Sequence, residues 1–307
     1  MPQNERLGFG VDVGGTWIRC GVISSAGRLI TERAGPTACC KSRDDFLSFI
    51  ETEVRRARGT LDRGGLLDQV GIGVPGTLDG ERRQIVRSVN LPFLEGWALC
   101  DAAGSALGVA ARLLTDAEAS TWGEYTVHRR SVPRFAHLRL GTGIALGVVA
   151  DGRLVRLDLG RRDHLEVLVV DRTAAARACG CGLRGCLETV ASGPALSRAA
   201  SAVGLDSVRS IQRAWDRGVP AAIHLVEEAA RSTVAALDNI VARFEPRIVT
   251  LGGGVAAHLP ALLCRVLGLW HSGTRDDAAR AHVTLLPAAL GDASGVVGAG
   301  LLGLHPH

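Results

Sequence analysis

An α/β protein built as two related lobes is the fold class that this sequence predicts, and three observations predict it. Short β-rich runs alternate with helical patterns along the chain, the arrangement that packs helices on sheets. Glycine-rich turns follow strands in both halves, at Gly14-Gly15, at Gly141-Thr142-Gly143 and at Gly252-Gly253-Gly254. The 307 residues, 47% hydrophobic and 21% charged, suffice for two domains with substantial cores.

The elements follow in order. Leu7 to Val13 is β-rich, Trp17 to Ser24 resumes the strand pattern after the Gly-Gly turn, and Ala26-Gly27 turns the chain into Arg28 to Ala34. A helix around Asp44 to Arg58 lines up Phe46, Phe49, Ile50 and Val54, with Asp44-Asp45 at its positive end. Strand Val70 to Val74 stops at Pro75-Gly76. Helix Leu99 to Leu107, strand Ala110 to Leu114 and helix Ala117 to Glu124 come next. Strands Ala136 to Leu140 and Ile144 to Val149 flank the Gly-Thr-Gly turn. The clearest helix runs from Pro220 to Phe244, with Ile223, Val226, Ala230, Val234, Leu237 and Val241 on one stripe. Strand Ile248 to Leu251, a helix near Leu259 to Leu267, strand Val283 to Leu286 and a small-residue helix from Ser294 to Leu304 complete the chain.

Composition excludes several roles. The longest apolar runs, such as Ile144 to Ala150, are too short to span a bilayer. No signal pattern opens the chain, so a cytoplasmic location and no membrane partner are expected. A net charge of +4 is spread among interleaved acids, which argues against a nucleic-acid stripe. Five of the eight cysteines are scattered, but Cys179, Cys181 and Cys186 cluster, which reads as a metal site. A glycine turn can aim successive N–H groups at an anion. Neither the Walker nor the dinucleotide fingerprint is present.

Six segments carry a resemblance. They are Val11-Asp12-Val13-Gly14-Gly15-Thr16, Gly71-Ile72-Gly73-Val74-Pro75-Gly76, Asp116-Ala117-Glu118-Ala119-Ser120-Thr121-Trp122-Gly123-Glu124, Leu140-Gly141-Thr142-Gly143, the run from Cys179 to Glu188 followed by Ala191-Ser192-Gly193, and Leu251-Gly252-Gly253-Gly254-Val255. In this order they resemble the signature segments of the ROK family, which groups sugar kinases with related repressors. The resemblance implies an actin/hexokinase-like (RNase H-like) fold with a cleft between the lobes. The expected division is 1–115 with a returning C-terminal helix at 292–307, and 116–291 carrying the cysteine-rich loop.

The resemblance further implies ATP-dependent phosphorylation of a hexose or amino-hexose at its 6-hydroxyl. Asp116 would be the base that takes the hydroxyl proton; its alternative reading is a cap for the following helix. Asp12 would hold Mg²⁺, Gly14, Gly15, Thr16, Gly141, Thr142 and Gly143 would bind phosphates, and Gly252, Gly253 and Gly254 would lie along adenosine. Gly76, Asn90, Thr115, Glu166 and Glu188 would face the sugar beside Asp116. Structural Zn²⁺ would sit on Cys179, Cys181 and Cys186. The family's fourth ligand, a histidine ten residues before the first cysteine, is Val169 here; either the segment has shifted and His164 closes the site across a longer loop, or the histidine is lost, Glu166 keeps its sugar role and a substitute ligand completes the zinc. Thr115 replaces the usual asparagine. These changes point away from plain glucose and toward an amino-sugar such as kanosamine, with glucokinase activity next. A homodimer is expected. The competing class is a catalytically silent sugar sensor; a DNA-binding repressor is disfavoured because only about ten residues precede Asp12.

Overall fold

The computed structural model describes residues 5–61, 67–88, 91–128, 132–157, 166–272, 280–302 and 304. The chain divides into two compact units, Met1–Arg129 with Asp292–His307, and Arg130–Gly291. Among the described residues no helix is long and apolar enough to cross a membrane.

The first unit is built on strands β1 (Leu7–Val13), β2 (Trp17–Ser24), β3 (Leu29–Pro36), β4 (Leu67–Val74) and β7 (Ala110–Thr115), with a small hairpin of β5 (Thr77–Leu78) and β6 (Ile85–Arg87) inserted after β4. The sheet order is β3-β2-β1-β4-β7. The first three strands pair antiparallel, while β4 and β7 join in parallel. Helices α1 (Arg43–Thr60) and α2 (Leu99–Leu107) cover one face. Phe9, Val11 and Val13 of β1 meet Phe46, Ile50 and Val54 of α1 there in one buried cluster. The alternation of a strand sends the intervening residues the other way.

Those residues are Gly8, Gly10 and Asp12, and they face helix α10 (Ser294–Leu302), which lies beside α3 (Asp116–His128). A methyl at Gly8 would stand 2.1 Å from the Gly300 carbonyl oxygen, and one at Gly10 would stand 2.0 Å from that of Val296. Glycine in a strand weakens it in isolation; here it lets a helix lie directly on the sheet backbone. The same close approach joins α3 to α10, since a methyl at Gly298 would fall 1.8 Å from the Ala119 carbonyl oxygen. Helix α3 therefore belongs with the first unit, whereas the sequence division at residue 115/116 assigns it to the second.

The second unit repeats the plan. Strands β8 (Arg134–Leu140), β9 (Ile144–Ala150), β10 (Arg153–Leu154), β11 (Ile248–Gly252) and β12 (Thr284–Pro287) form a sheet in the order β10-β9-β8-β11-β12. Three antiparallel strands again precede two parallel ones. Its helices among the described residues are α4 (Glu188–Ala191), α5 (Gly193–Ala202), α6 (Val208–Asp216), α7 (Pro220–Phe244), α8 (Gly254–His258) and α9 (Pro260–Ser272). Val226, Ala230, Val234, Leu237 and Val241 of α7 are buried against Leu138, Leu140, Val249 and Leu251.

Candidate functional site

In the first unit the β1–β2 turn carries Gly14, Gly15 and Thr16. Gly14 donates its N–H to the Trp17 carbonyl at 2.8 Å, which closes the turn. The Thr37 hydroxyl donates to the Gly14 carbonyl at 2.8 Å and fixes it from behind. Gly15 and Thr16 are exposed at the tip, and a methyl at Gly15 would meet nothing within 4 Å. Asp12 is buried one strand position inside. Its carboxylate lies so close to Gly295 that a methyl there would stand 2.3 Å from Oδ2. The second residue of α10 thus borders the Asp12 carboxylate, at the end of a helix that favours anions.

Strand β7 delivers Thr115 and Asp116 to the start of α3. The Thr115 hydroxyl accepts from the Glu118 N–H at 3.2 Å, and a Glu118 carboxylate oxygen accepts from the Thr115 N–H at 3.0 Å. This is a reciprocal capping box. The cap of α3 is therefore Thr115, and Asp116 is its first helical residue, half-buried. Arg82, in the turn of the β5–β6 hairpin, donates to both Glu118 oxygens at 2.6 and 2.5 Å. Burial alone would raise the Glu118 pKa; the Arg82 guanidinium and the hydrogen bonds from Thr115 outweigh it and hold the carboxyl below its ordinary range. Gly76 has φ +138, and a methyl there would fall 2.1 Å from the Arg87 carbonyl oxygen, so only glycine fits where the hairpin leaves β4. Asn90 lies outside the described residues.

In the second unit the β8–β9 turn places Gly141, Thr142 and Gly143. Gly141 donates to the Gly143 carbonyl at 3.0 Å, and Gly193, at the start of α5, donates to the Gly141 carbonyl at 2.8 Å. Gly253 has φ +93, and a methyl on it would stand 2.5 Å from the Leu140 carbonyl oxygen. The hairpin, the Gly252–Gly254 turn and the start of α5 are thus one cluster of backbone, three segments far apart in sequence. Gly254 opens onto free space. Glu188 joins the cluster through an oxygen that accepts from the Ile144 N–H at 3.0 Å.

Beneath this cluster lies His137, buried on β8, with Nδ1 2.8 Å from the Thr250 hydroxyl. Burial, reinforced by the nearby Arg139 charge, depresses its pKa to about 3. The folded chain holds this ring neutral, while the unfolded chain protonates it near the ordinary value of about 6.5. His137 therefore contributes stability that is present above that pH and is lost as the pH falls toward 3. Acidification from pH 7 to 5 is expected to remove about 2 kcal/mol through this group. Denaturant titrations at both pH values check this; a His137→Gln chain with the same pH dependence as the wild type refutes it.

The cysteine loop sits beside the same cluster. The Cys179, Cys181 and Cys186 sulfurs lie within 4.8 Å of one another, and Cys181 and Cys186 are 3.6 Å apart. Sulfurs sharing a tetrahedral zinc at about 2.3 Å stand roughly 3.8 Å from each other. The trio fits one face of such a site. Cys179 Sγ is also 3.8 Å from the second Glu188 oxygen. Glu166 is exposed, and Val169 is buried and bridges to Cys186. His164 lies outside the described residues.

Comparison with known proteins decides the lineage. The ROK family profile matches residues 8–305. The chain belongs to the ROK family. It is 32% identical over 294 residues to the kanosamine kinase of Amycolatopsis mediterranei, covering 95% of this chain and 94% of that protein. The ROK hexokinase of Thermus thermophilus superposes with a TM-score of 0.80 at 31% identity, covering 96% and 97% of the two chains. A ROK glucokinase of Streptomyces griseus, solved with glucose and AMPPNP, gives a TM-score of 0.78 at 27% identity, covering 96% and 98%. The fold is accordingly actin/hexokinase-like, and sugar kinase activity in general is supported.

Within this ROK chain the signature segments divide between the two units. Asp12, the Gly14–Thr16 turn, Gly76, Thr115 and Asp116 fall in the first; the Gly141–Gly143 turn, Glu166, the cysteines, Glu188 and the Gly252–Gly254 turn fall in the second. Arg82 and His137 were not singled out by the sequence, because neither occupies a recognisable motif. The cysteine trio is compatible with a structural zinc ion. Chain purified without chelator is expected to carry about one zinc, and Cys181→Ser to lose both the metal and several kcal/mol of stability. Metal analysis with a thermal scan tests this; an unchanged melting temperature in a metal-free variant refutes it.

Proposed function

We propose that this chain transfers the terminal phosphoryl group of ATP to the 6-hydroxyl of a hexose or amino-hexose, with Asp116 as the general base. The observation that carries the reading is the arrangement at the start of α3. Thr115 and Glu118 supply the cap, so capping does not account for an aspartate at 116. The carboxylate there accepts the hydroxyl proton as the sugar oxygen bonds to phosphorus and the bond from phosphorus to the leaving ADP oxygen breaks.

Backbone N–H groups of Gly14, Gly15 and Thr16, and of Gly141, Thr142 and Gly143, would bind the phosphates, while Gly252, Gly253 and Gly254 accommodate the adenosine. Mg²⁺ when bound supplies neutralisation of phosphate charge, and Asp12 would hold it through water. Cys179, Cys181 and Cys186 would hold zinc, with His164 as the candidate fourth ligand, and its contribution is to fold the loop. Gly76, Asn90, Thr115, Glu166 and Glu188 would line the sugar. Thr115 accepts one bond at the helix cap, which still leaves a lone pair and its hydroxyl proton for the ligand.

Kanosamine is the leading acceptor and glucose the next. The kanosamine kinase relative supports this order, and so do the carboxylates assigned to the sugar, which favour an ammonium group. ADP release measured with glucose, glucosamine, N-acetylmannosamine and kanosamine tests it. Turnover highest on kanosamine is expected. Sugar binding without ADP release from any of the four would make the chain a sensor instead.

A further inference from the structure

The ion pair between Arg82 and Glu118 ties the β5–β6 hairpin to the start of α3. Its turn is organised by Asp79, whose carboxylate accepts from the N–H groups of Arg83 at 2.7 Å and Gln84 at 2.9 Å. The Asp79 carbonyl accepts from the Arg82 N–H at 3.1 Å. Arg82 itself has φ +57, a left-handed conformation that costs a residue other than glycine roughly 1–2 kcal/mol. Such a conformation persists only where its surroundings hold it. Here the reward is visible. The guanidinium meets Glu118 through two parallel hydrogen bonds of 2.6 and 2.5 Å, and the two side chains are only 26% and 12% exposed.

Both ends of this pair reach assigned site residues. The oxygen that accepts from Arg82 Nη1 also accepts from the Thr115 N–H, one residue before Asp116. At the other end, the hairpin runs from Gly76 to Ser88, whose hydroxyl donates to the Pro75 carbonyl at 2.7 Å. A bidentate, partly buried fork fixes orientation as well as distance.

We propose that Arg82 and Glu118 are positioning residues that set the Asp116 carboxylate and the Gly76–Ser88 hairpin in one geometry for the sugar. This rests on the reading of Asp116 as the base and the hairpin as sugar-facing. The pair does not touch the phosphate turn at Gly14–Thr16, so its loss acts on the sugar and not on the nucleotide.

The test uses the full chain with Arg82→Gly, Glu118→Gln, the double variant and Arg82→Lys. Glycine suits the left-handed turn, so Arg82→Gly removes the guanidinium without straining the hairpin. The amide oxygen of Glu118→Gln can still accept from Thr115. Each single change is expected to lower kcat/KM for the best acceptor about 10- to 100-fold through misplacement, with KM for ATP within about twofold of the wild type. The double variant should be no worse than the poorer single, as for two residues that act as one unit, and Arg82→Lys should fall between. Sugar kcat/KM within twofold of wild type in either single overturns the proposal, as does a fall in the ATP and sugar parameters together. Asp116→Ala in the same assay separates the two readings. If that variant still turns over, the base assignment fails, and calorimetric binding of glucose then reads the pair alone. A dissociation constant raised about tenfold in Arg82→Gly upholds positioning; an unchanged one overturns it.

Discussion

Asp116→Ala is expected to lower kcat by about 10²- to 10⁴-fold, the usual cost of removing a positioned general base, while nucleotide binding stays at the wild-type level. A sugar hydroxyl is a weak nucleophile at neutral pH, and the segments proposed to bind the nucleotide are others, Gly14–Thr16 and the glycine turns of the second unit. The structure makes this experiment clean. Helix α3 keeps its cap, because the reciprocal bonds between Thr115 and Glu118 do not involve residue 116. The start of α3 should therefore stay helical in the variant. Thr115→Ala is the counterpart: it loses the cap hydroxyl and about 1 kcal/mol with it. Steady-state ADP release, calorimetric binding of a non-hydrolysable ATP analogue and a thermal scan measure the three quantities. Wild-type turnover in Asp116→Ala would end the assignment of the base. Loss of nucleotide binding along with turnover would show that the residue serves the phosphates.

Much of this was legible in the sequence where one physical constraint governs a short stretch. The Gly-Gly turn after Val13 and the stripe on α7 follow from local chemistry, and the elements there formed close to their expected bounds. Helices α5 and α6 were not read, although both carry start signals: Ser192 accepts from the Ala195 N–H, and Ser207 forms a capping box with Ser210. Each is short, 10 and 9 residues, and offers few turns over which an apolar period can be recognised. The Arg82–Glu118 pair was illegible for a different reason. Its members are 36 positions apart, and only the left-handed turn at Arg82 aims the guanidinium at α3. The placement of α3 in the first unit likewise depended on glycines matched across distant segments, which a single strand or helix pattern does not reveal.

Those matched glycines carry the largest expected effect on stability. Gly71→Ala places its methyl 1.9 Å from the Ala299 carbonyl oxygen, and Gly298→Ala places one 1.8 Å from that of Ala119. Both obstacles are backbone atoms within packed elements, so no side-chain rotation relieves them. Either α10 lifts from the sheet or the strand and helix α3 shift, and each route opens space elsewhere in a close-packed interior. Overpacking of this kind costs about 3 kcal/mol or more, which corresponds to a fall in melting temperature of roughly 6–12 °C for a unit of this size. Gly59→Ala is the control. Its methyl would meet nothing within 4 Å at an exposed position of helix α1, so helix propensity alone should stabilise by about 0.5–1 kcal/mol. Because Gly295 on the same helix borders the Asp12 carboxylate, displacement of α10 should also weaken Mg²⁺-dependent nucleotide binding in the two core variants and leave it untouched in the control. Thermal unfolding and nucleotide titration of the three proteins decide the matter. If Gly71→Ala and Gly298→Ala melt with the wild type, helix α10 does not rest on the sheet backbone and Asp12 is not placed by it.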